Sequence, residues 1–255
     1  MGLVQGLTEF LPVSSSGHLV LFQRILGIKG DMLLFDIVLH LGTLLAVIIV
    51  FRKDLWECIK HPLSKTTLSL IIATVPAVLI ALFFGGLIEK TFSGGYLGFG
   101  FLITAVLLFV TGRKPTPPVI PRLTVPADIT YKHAVIIGLF QGAAMLPGIS
   151  RSGATVSGGL ICGMPREKAA RFSFLLSVPI ILASAVYKMT GLSTVTESLE
   201  ILPALIGFIA AAVSGFLAIK LMLDLIKKSK LWPFAVYLTV LGLFVLLNQY
   251  VLMWF

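Results

Sequence analysis

The sequence predicts an all-α polytopic membrane protein, with six transmembrane helices and two re-entrant helix pairs related as an inverted-topology repeat. Three observations predict it. Apolar residues make up 57% of the chain and charged residues only 12%, with a mean hydropathy of +1.03. The cations collect in alternate inter-helix loops. Two segments 136 residues apart carry the same frame of glycines, a glutamine and serines, each inside hydrophobic sequence. A duplicated polar segment, broken by Gly and Pro within an apolar chain, marks a site lying between two repeats.

The first repeat, residues 1–112, opens with a segment of about 30 residues that contains Pro12 and the run Ser14-Ser15-Ser16-Gly17. Those residues break a helix, so the segment is read as a re-entrant pair whose irregular backbone is buried in protein. Apolar runs near 33–51, 67–88 and 96–112 follow, each near the ~20 residues a bilayer requires. Residues 113–131, with Pro115, Pro117, Pro118, Pro121 and Pro126, read as an extended cytoplasmic linker. The second repeat, 132–255, has its re-entrant segment at about 133–163 and spans near 171–190, 201–226 and 232–252. No polar stretch is long enough for a soluble domain. No cleavable signal peptide is expected, because Met1 leads straight into the first motif.

The net charge of +9 would suit a nucleic-acid binder, but its distribution excludes that class. Arg52, Lys53, Lys60 and Lys65 share one loop, Arg113, Lys114, Arg122 and Lys132 a second, and Lys227, Lys228 and Lys230 a third. The opposite loops carry Glu89, Glu197 and Glu200 with few cations. Under the positive-inside rule the three basic loops face the cytoplasm. Residues 1–30 then enter from the outer side. The second segment, flanked by a basic loop and by Arg166, Lys168 and Arg171, enters from the inner side. Cys58 and Cys162 lie on unrelated segments and imply neither a disulfide nor a metal cluster.

At the constant offset, Gly2, Leu3, Gln5, Gly6, Ser14, Ser16 and Gly17 meet identical residues, while Glu9 meets Met145, Ser15 meets Arg151 and His18 meets Ala154. One copy has specialised towards an acid, a hydroxyl and an imidazole, the other towards a cation. A weaker echo, Phe35–His40 against Phe172–Ser177 at an offset of 137, opens the span after each segment.

Gln5 and Glu9 are four apart and share a helix face. They are read either as ligands of Mg²⁺ or Ca²⁺, completed by water and substrate oxygens, or as a support in which Glu9 pairs with Arg151. Ser14 and Ser16 cap a helix N-terminus, a natural anion site that Gly17 joins. His18, three residues after Ser15, is either a base for that hydroxyl or a hydrogen-bonded bystander. Gly148, Ser150, Arg151, Ser152, Gly153 and Thr155 combine amides, hydroxyls and a guanidinium fork suited to phosphate. Asp36 and His40, also four apart on an apolar helix, are candidates for the lining of the same cavity.

Gln5-x-x-x-Glu9 with Pro12-Val13-Ser14-Ser15-Ser16-Gly17-His18, and Pro147-Gly148-Ile149-Ser150-Arg151-Ser152-Gly153-Ala154-Thr155, resemble the BacA/UppP family of undecaprenyl-diphosphate phosphatases over essentially the whole chain. The resemblance implies a bacterial inner-membrane enzyme that removes the terminal phosphate of undecaprenyl diphosphate and related prenyl diphosphates. Such an enzyme regenerates the carrier lipid of peptidoglycan synthesis and confers bacitracin resistance. It implies a metal pair at Gln5 and Glu9, a Ser/His pair at Ser15 and His18, and phosphate binding by Arg151; many members carry glutamate where this chain has Gln5. The expected chemistry is metal-assisted phosphoryl transfer from a site open to the outer face. Ser15, deprotonated by His18, attacks phosphorus, with His18 or water as alternative nucleophiles. A lipid-phosphate transporter or flippase on the same inverted repeat is the rival reading. The expected partners of the protein are the prenyl diphosphate substrate and membrane lipid, with no nucleic acid, and the sequence sets no oligomeric state.

Overall fold

The computed structural model describes residues 1–28, 32–93, 95–113, 129–190, 200–227 and 231–254, and these are all-helical without a strand. Most of the Pro-rich linker, with Lys114 and Arg122, lies outside the described residues, as do Glu197, Lys228 and Lys230.

The chain begins with two short helices, α1 (Gly2–Phe10) and α2 (Ser15–Ile25). Leu11, just before Pro12, has extended dihedrals (φ −71°, ψ 145°) and ends α1, as the steric demand of a following proline requires. Then come α3 (Leu33–Val50), α4 (Arg52–Lys60), α5 (Lys65–Ser93) and α6 (Leu97–Gly112). The second half follows with α7 (Tyr131–Ala143), α8 (Arg151–Ile161), α9 (Arg166–Thr190), α10 (Ile201–Lys227) and α11 (Trp232–Leu247), which runs into a π-helical turn, Asn248–Leu252; among the described residues it has no counterpart of α4.

Five helices are long and apolar enough to cross a bilayer: α3, α5, α9, α10, and α11 with its π turn. The sixth expected span, α6, is apolar but has 16 residues, short of the usual ~20. Residues 52–60, read from sequence as part of a loop, form α4. Asp54 in its first turn and Lys60 in its last suit the helix dipole. The Asp54 carboxylate also takes Arg171 at 3.1 Å, which anchors α4 to α9.

The bundle is apolar on its outer surface and buries a polar cluster within an apolar core. Leu82, Phe83, Val106, Leu202 and Val240 are exposed on the long helices, while Gln5, Glu9, His18, Thr104, Ser150, Ser173 and Ser177 are buried. That reverses the usual arrangement of a soluble protein and suits a lipid surround. Small residues let the helices approach closely, as membrane helices do. Gly2 and Gly6 of α1 lie against Gly207, Ala211 and Ser214 of α10, and Gly138 of α7 lies against Ala73 and Pro76 of α5. Helices α1 and α7 thus each lean on a long helix of the other half. An apolar centre that includes Phe10, Phe51 and Phe174 holds the halves together, with Phe10 edge-on to Phe174 at 5.6 Å.

Candidate active site

The two motif copies fold alike. Ser14 and Ser150 are N-caps, accepting from the amides of Gly17 and Gly153 at 3.3 and 3.0 Å. The helices they cap, α2 and α8, both have 11 residues. Both are followed by a left-handed glycine, Gly27 (φ 62°) and Gly163 (φ 80°). Paired carbonyl bonds close both ends in the same way: Ile28 N to Gln23 O and Met164 N to Gly159 O, each 3.0 Å.

The loops before these helices clasp one another. The Ser14 hydroxyl donates to the Ile149 carbonyl at 3.4 Å, and the Ser152 hydroxyl donates to the Leu11 carbonyl at 2.9 Å. Gly17 packs against Gly148 and the Phe101 ring so closely that a side chain there would collide with the ring. Thr104 of α6 supports the second loop by accepting the Ser150 amide at 3.0 Å.

Glu9 sits where the loops meet, with 6% of its side chain exposed. Its Oε2 accepts from Gln5 Nε2 at 3.0 Å and from Ser15 Oγ at 2.5 Å. Its Oε1 accepts from Arg151 Nη2 at 2.5 Å. The acid of one copy and the cation of the other therefore form one buried pair. Arg151 also donates through Nη1 to the Ser173 carbonyl of α9 at 3.3 Å. Thr155, one helical turn on, bonds the Arg151 carbonyl at 2.8 Å and the Ser173 hydroxyl at 2.6 Å. The guanidinium is thus held at two edges.

His40 of α3 completes the cluster, with Nε2 4.0 Å from Glu9 Oε2. Its Nδ1 lies 2.7 Å from the Asp36 carbonyl. A carbonyl only accepts, so Nδ1 carries the proton and Nε2 faces Glu9 as an acceptor when the ring is neutral.

His18 lies elsewhere than the Ser15–His18 spacing suggested. Its Nδ1 is 2.7 Å from the Ser14 carbonyl and its Nε2 2.6 Å from the Tyr237 hydroxyl. Both ring nitrogens are engaged, and the Ser15 hydroxyl turns to Glu9 instead. Ser15 is the first residue of α2, where the chain is still leaving the loop; regular helix spacing does not govern its direction. Ser16 is half-buried on the second position of α2. Ser150 and Ser152 share a hydrogen bond at 3.1 Å.

The site's donors suit a hard divalent cation. Gln5 Oε1 is a buried oxygen with no hydrogen-bond partner, and the Glu9 carboxylate offers about four acceptor positions, of which three are used. Among the described residues no group of three or more His, Cys, Asp or Glu comes together to form a closed transition-metal site. An open, oxygen-rich position completed by substrate oxygens is the coordination Mg²⁺ and Ca²⁺ accept.

Two positions escaped the sequence reading. Tyr237 carries one of the few hydroxyls in its apolar span, which was its only signal. Ser173 is the counterpart of Asp36 in the weaker echo, so the repeat itself pointed to it.

A family model described as bacitracin resistance protein BacA matches residues 1–244. Among curated proteins, an undecaprenyl-diphosphatase of Carboxydothermus hydrogenoformans is 46% identical over 253 residues, covering 98% of this chain and 95% of its own. Proteins of the same name from Christiangramia forsetii and Halothermothrix orenii are 41% and 39% identical, covering 98% and 97% of this chain and 96% and 95% of their own.

Proposed function

The chain belongs to the bacitracin resistance protein BacA family, and from that premise we propose how it acts as an undecaprenyl-diphosphatase. The reaction converts undecaprenyl diphosphate to undecaprenyl phosphate and inorganic phosphate, which recycles the carrier lipid of peptidoglycan synthesis. One observation carries the mechanism: Glu9 joins the Ser15 hydroxyl to the Arg151 guanidinium in a buried cluster built from both motif copies.

Ser15 is the nucleophile. Its oxygen bonds to the terminal phosphorus, the bridging P–O bond breaks, and undecaprenyl phosphate departs. The hydroxyl proton passes to Glu9 Oε2, which already accepts it. Water then hydrolyses the phosphoserine. Glu9 takes the role of base that the spacing had offered to His18, because it is the group the hydroxyl faces. Arg151 moves one donor from Glu9 to the phosphoryl oxygens while Ser173 keeps its other edge in place. The caps and glycines of both loops bring two helix N-termini to the same cluster, which favours an anion. Gln5 Oε1 and Glu9 would hold Mg²⁺ or Ca²⁺, which would supply further positive charge against the diphosphate.

We place the enzyme in the bacterial inner membrane, with α6 as a sixth span and α1–α2 and α7–α8 as re-entrant pairs entering from opposite faces. The site then opens to the outer face. The alternation of basic loops supports this orientation. The inverted repeat is supported by the shared offset of α2 and α8, and by the crossed packing of α1 on α10 and α7 on α5.

Purified protein should release inorganic phosphate from a short prenyl diphosphate in Mg²⁺ or Ca²⁺. Absence of release, with lipid-phosphate translocation in vesicles, would establish the transporter reading in its place. For orientation, an impermeant thiol reagent should reach Cys58 in inverted vesicles and miss it in intact cells. Labelling from outside would reverse the assignment.

A further inference from the structure

His18 is the most constrained side chain near the site. It is 3% exposed, edge-on to Phe101 at 5.5 Å and stacked on Tyr237 at 5.7 Å. The Ser14 carbonyl can only accept, so the proton sits on Nδ1, and in the neutral ring Nε2 accepts from the Tyr237 hydroxyl. The hydrogen bonds therefore run in one direction, from Tyr237 on α11 through His18 to the peptide oxygen of Ser14.

That peptide is unusual. Ser14 has φ 71° and ψ 94° and is one of two described non-glycine residues with positive φ. The corresponding loop of the second repeat takes its positive φ at Gly148 (φ 83°), where there is no steric penalty, and its cap Ser150 has φ −76°. Gly148 stands opposite Pro12 at the repeat offset, so in the first copy the positive φ falls two positions later, on the cap serine itself. Such a conformation persists only when its surroundings hold it. Ser14 directly precedes Ser15, so its dihedrals set where the Ser15 hydroxyl points, and that hydroxyl lies 2.5 Å from Glu9.

We propose that Tyr237 is a positioning residue of the reaction: through His18 it holds the Ser14 peptide in its left-handed turn and so aims Ser15 at Glu9. The Tyr237 hydroxyl bonds His18, while the Ser15 hydroxyl bonds Glu9. The proposal rests on Ser15 as the attacking group, the reading given above. It also gives His18 a task that needs no proton transfer.

The test pairs Tyr237→Phe with Ser14→Gly in the full-length protein, measuring kcat and KM for phosphate release from a short prenyl diphosphate. Tyr237→Phe removes one hydroxyl and keeps the ring stack. A net hydrogen bond corresponds to ~3–10-fold, so kcat should fall by about that factor with KM unchanged. Glycine takes positive φ freely and replaces a serine cap at little cost. On the Ser14→Gly background the same tyrosine change should therefore cost less than about 2-fold. An equal loss on both backgrounds, a change confined to KM, or no loss in Tyr237→Phe would overturn the proposal.

A second measurement needs no turnover and so separates this inference from the assignment of function. In ¹⁵N-histidine-labelled protein, His18 should show a protonated Nδ1 and a hydrogen-bonded, bare Nε2, with the Nε2 resonance moving in Tyr237→Phe. An Nε2-protonated ring, or a resonance unmoved by the substitution, would refute the relay even if the protein hydrolysed no diphosphate. A wild type lacking phosphate release, with the relay intact in the spectrum, would remove the task assigned to Tyr237 along with the phosphatase mechanism.

Discussion

Replacing Arg151 separates its charge from its shape. The guanidinium meets Glu9 through Nη2 and the Ser173 carbonyl through Nη1, and only 6% of the Glu9 side chain is exposed. Arg151→Ala leaves that carboxylate buried without its cation, a loss of ~3–5 kcal/mol in stability for a broken buried pair. Arg151→Lys keeps the charge beside Glu9 but has a single point of donation, so it gives up about one hydrogen bond, ~0.5–1.5 kcal/mol. Lysine should therefore melt close to the wild type in detergent. Activity should behave otherwise. A group that must hold Ser173 with one edge while offering the other to a phosphoryl oxygen needs the fork, and removing one comparable transition-state donor lowers kcat by ~10²–10³-fold. The assay is phosphate release at saturating prenyl diphosphate, run beside thermal unfolding of the same preparation. A lysine variant that retains most of the turnover would make Arg151 a counter-ion of Glu9 alone and leave phosphate binding to the loop amides.

Ser15→Ala should abolish turnover while substrate binding persists, and labelled phosphate should be trapped on Ser15 in rapidly quenched wild type; phosphate trapped on histidine would overturn the mechanism. Chelation of divalent ions should stop phosphate release. Gln5→Glu adds a second carboxylate beside the orphaned amide oxygen position, so it should lower the Mg²⁺ or Ca²⁺ concentration needed for half-maximal rate; an unchanged metal titration would remove Gln5 from the metal site. Gly6→Ala would put a methyl group on Ser214 Oγ and 2.5 Å from the Ala211 carbonyl, destabilising by ~1–3 kcal/mol as overpacking does. It should lower both melting temperature and kcat, whereas Gly86→Ala, which faces open space, should alter neither.

The long apolar helices were legible because bilayer solvation leaves a plain record: runs of about 20 apolar residues bounded by basic loops. The meeting of Glu9 with Arg151 was also within reach, because duplicated loops that differ in charge invite contact. The α4 helix was missed because its charged surface reads as a loop, and its inward face amounts to little more than Leu55 and Cys58 packed on the core. Ser15 shows the limit of spacing arguments. The rule that residues three apart share a face holds inside a helix, and Ser15 stands at its first position after a left-handed cap. The partners of His18 were hidden for another reason. Tyr237 lies 219 residues away, and nothing local encodes a partner at that distance.

The crossed packing of the short helices has a consequence for how the molecule is made. The helix bearing Gln5 and Glu9 is synthesised well before α10, yet the surface that receives Gly2 and Gly6 belongs to α10. The residue that bonds His18 belongs to α11, later still in the chain. Until the second half has been inserted, Glu9 has neither its groove nor its arginine. A chain halted midway would carry a carboxylate, a serine and a histidine in the membrane with nothing to organise them. The site comes into being only when both halves are present, so two halves produced separately would have to find each other before either could act.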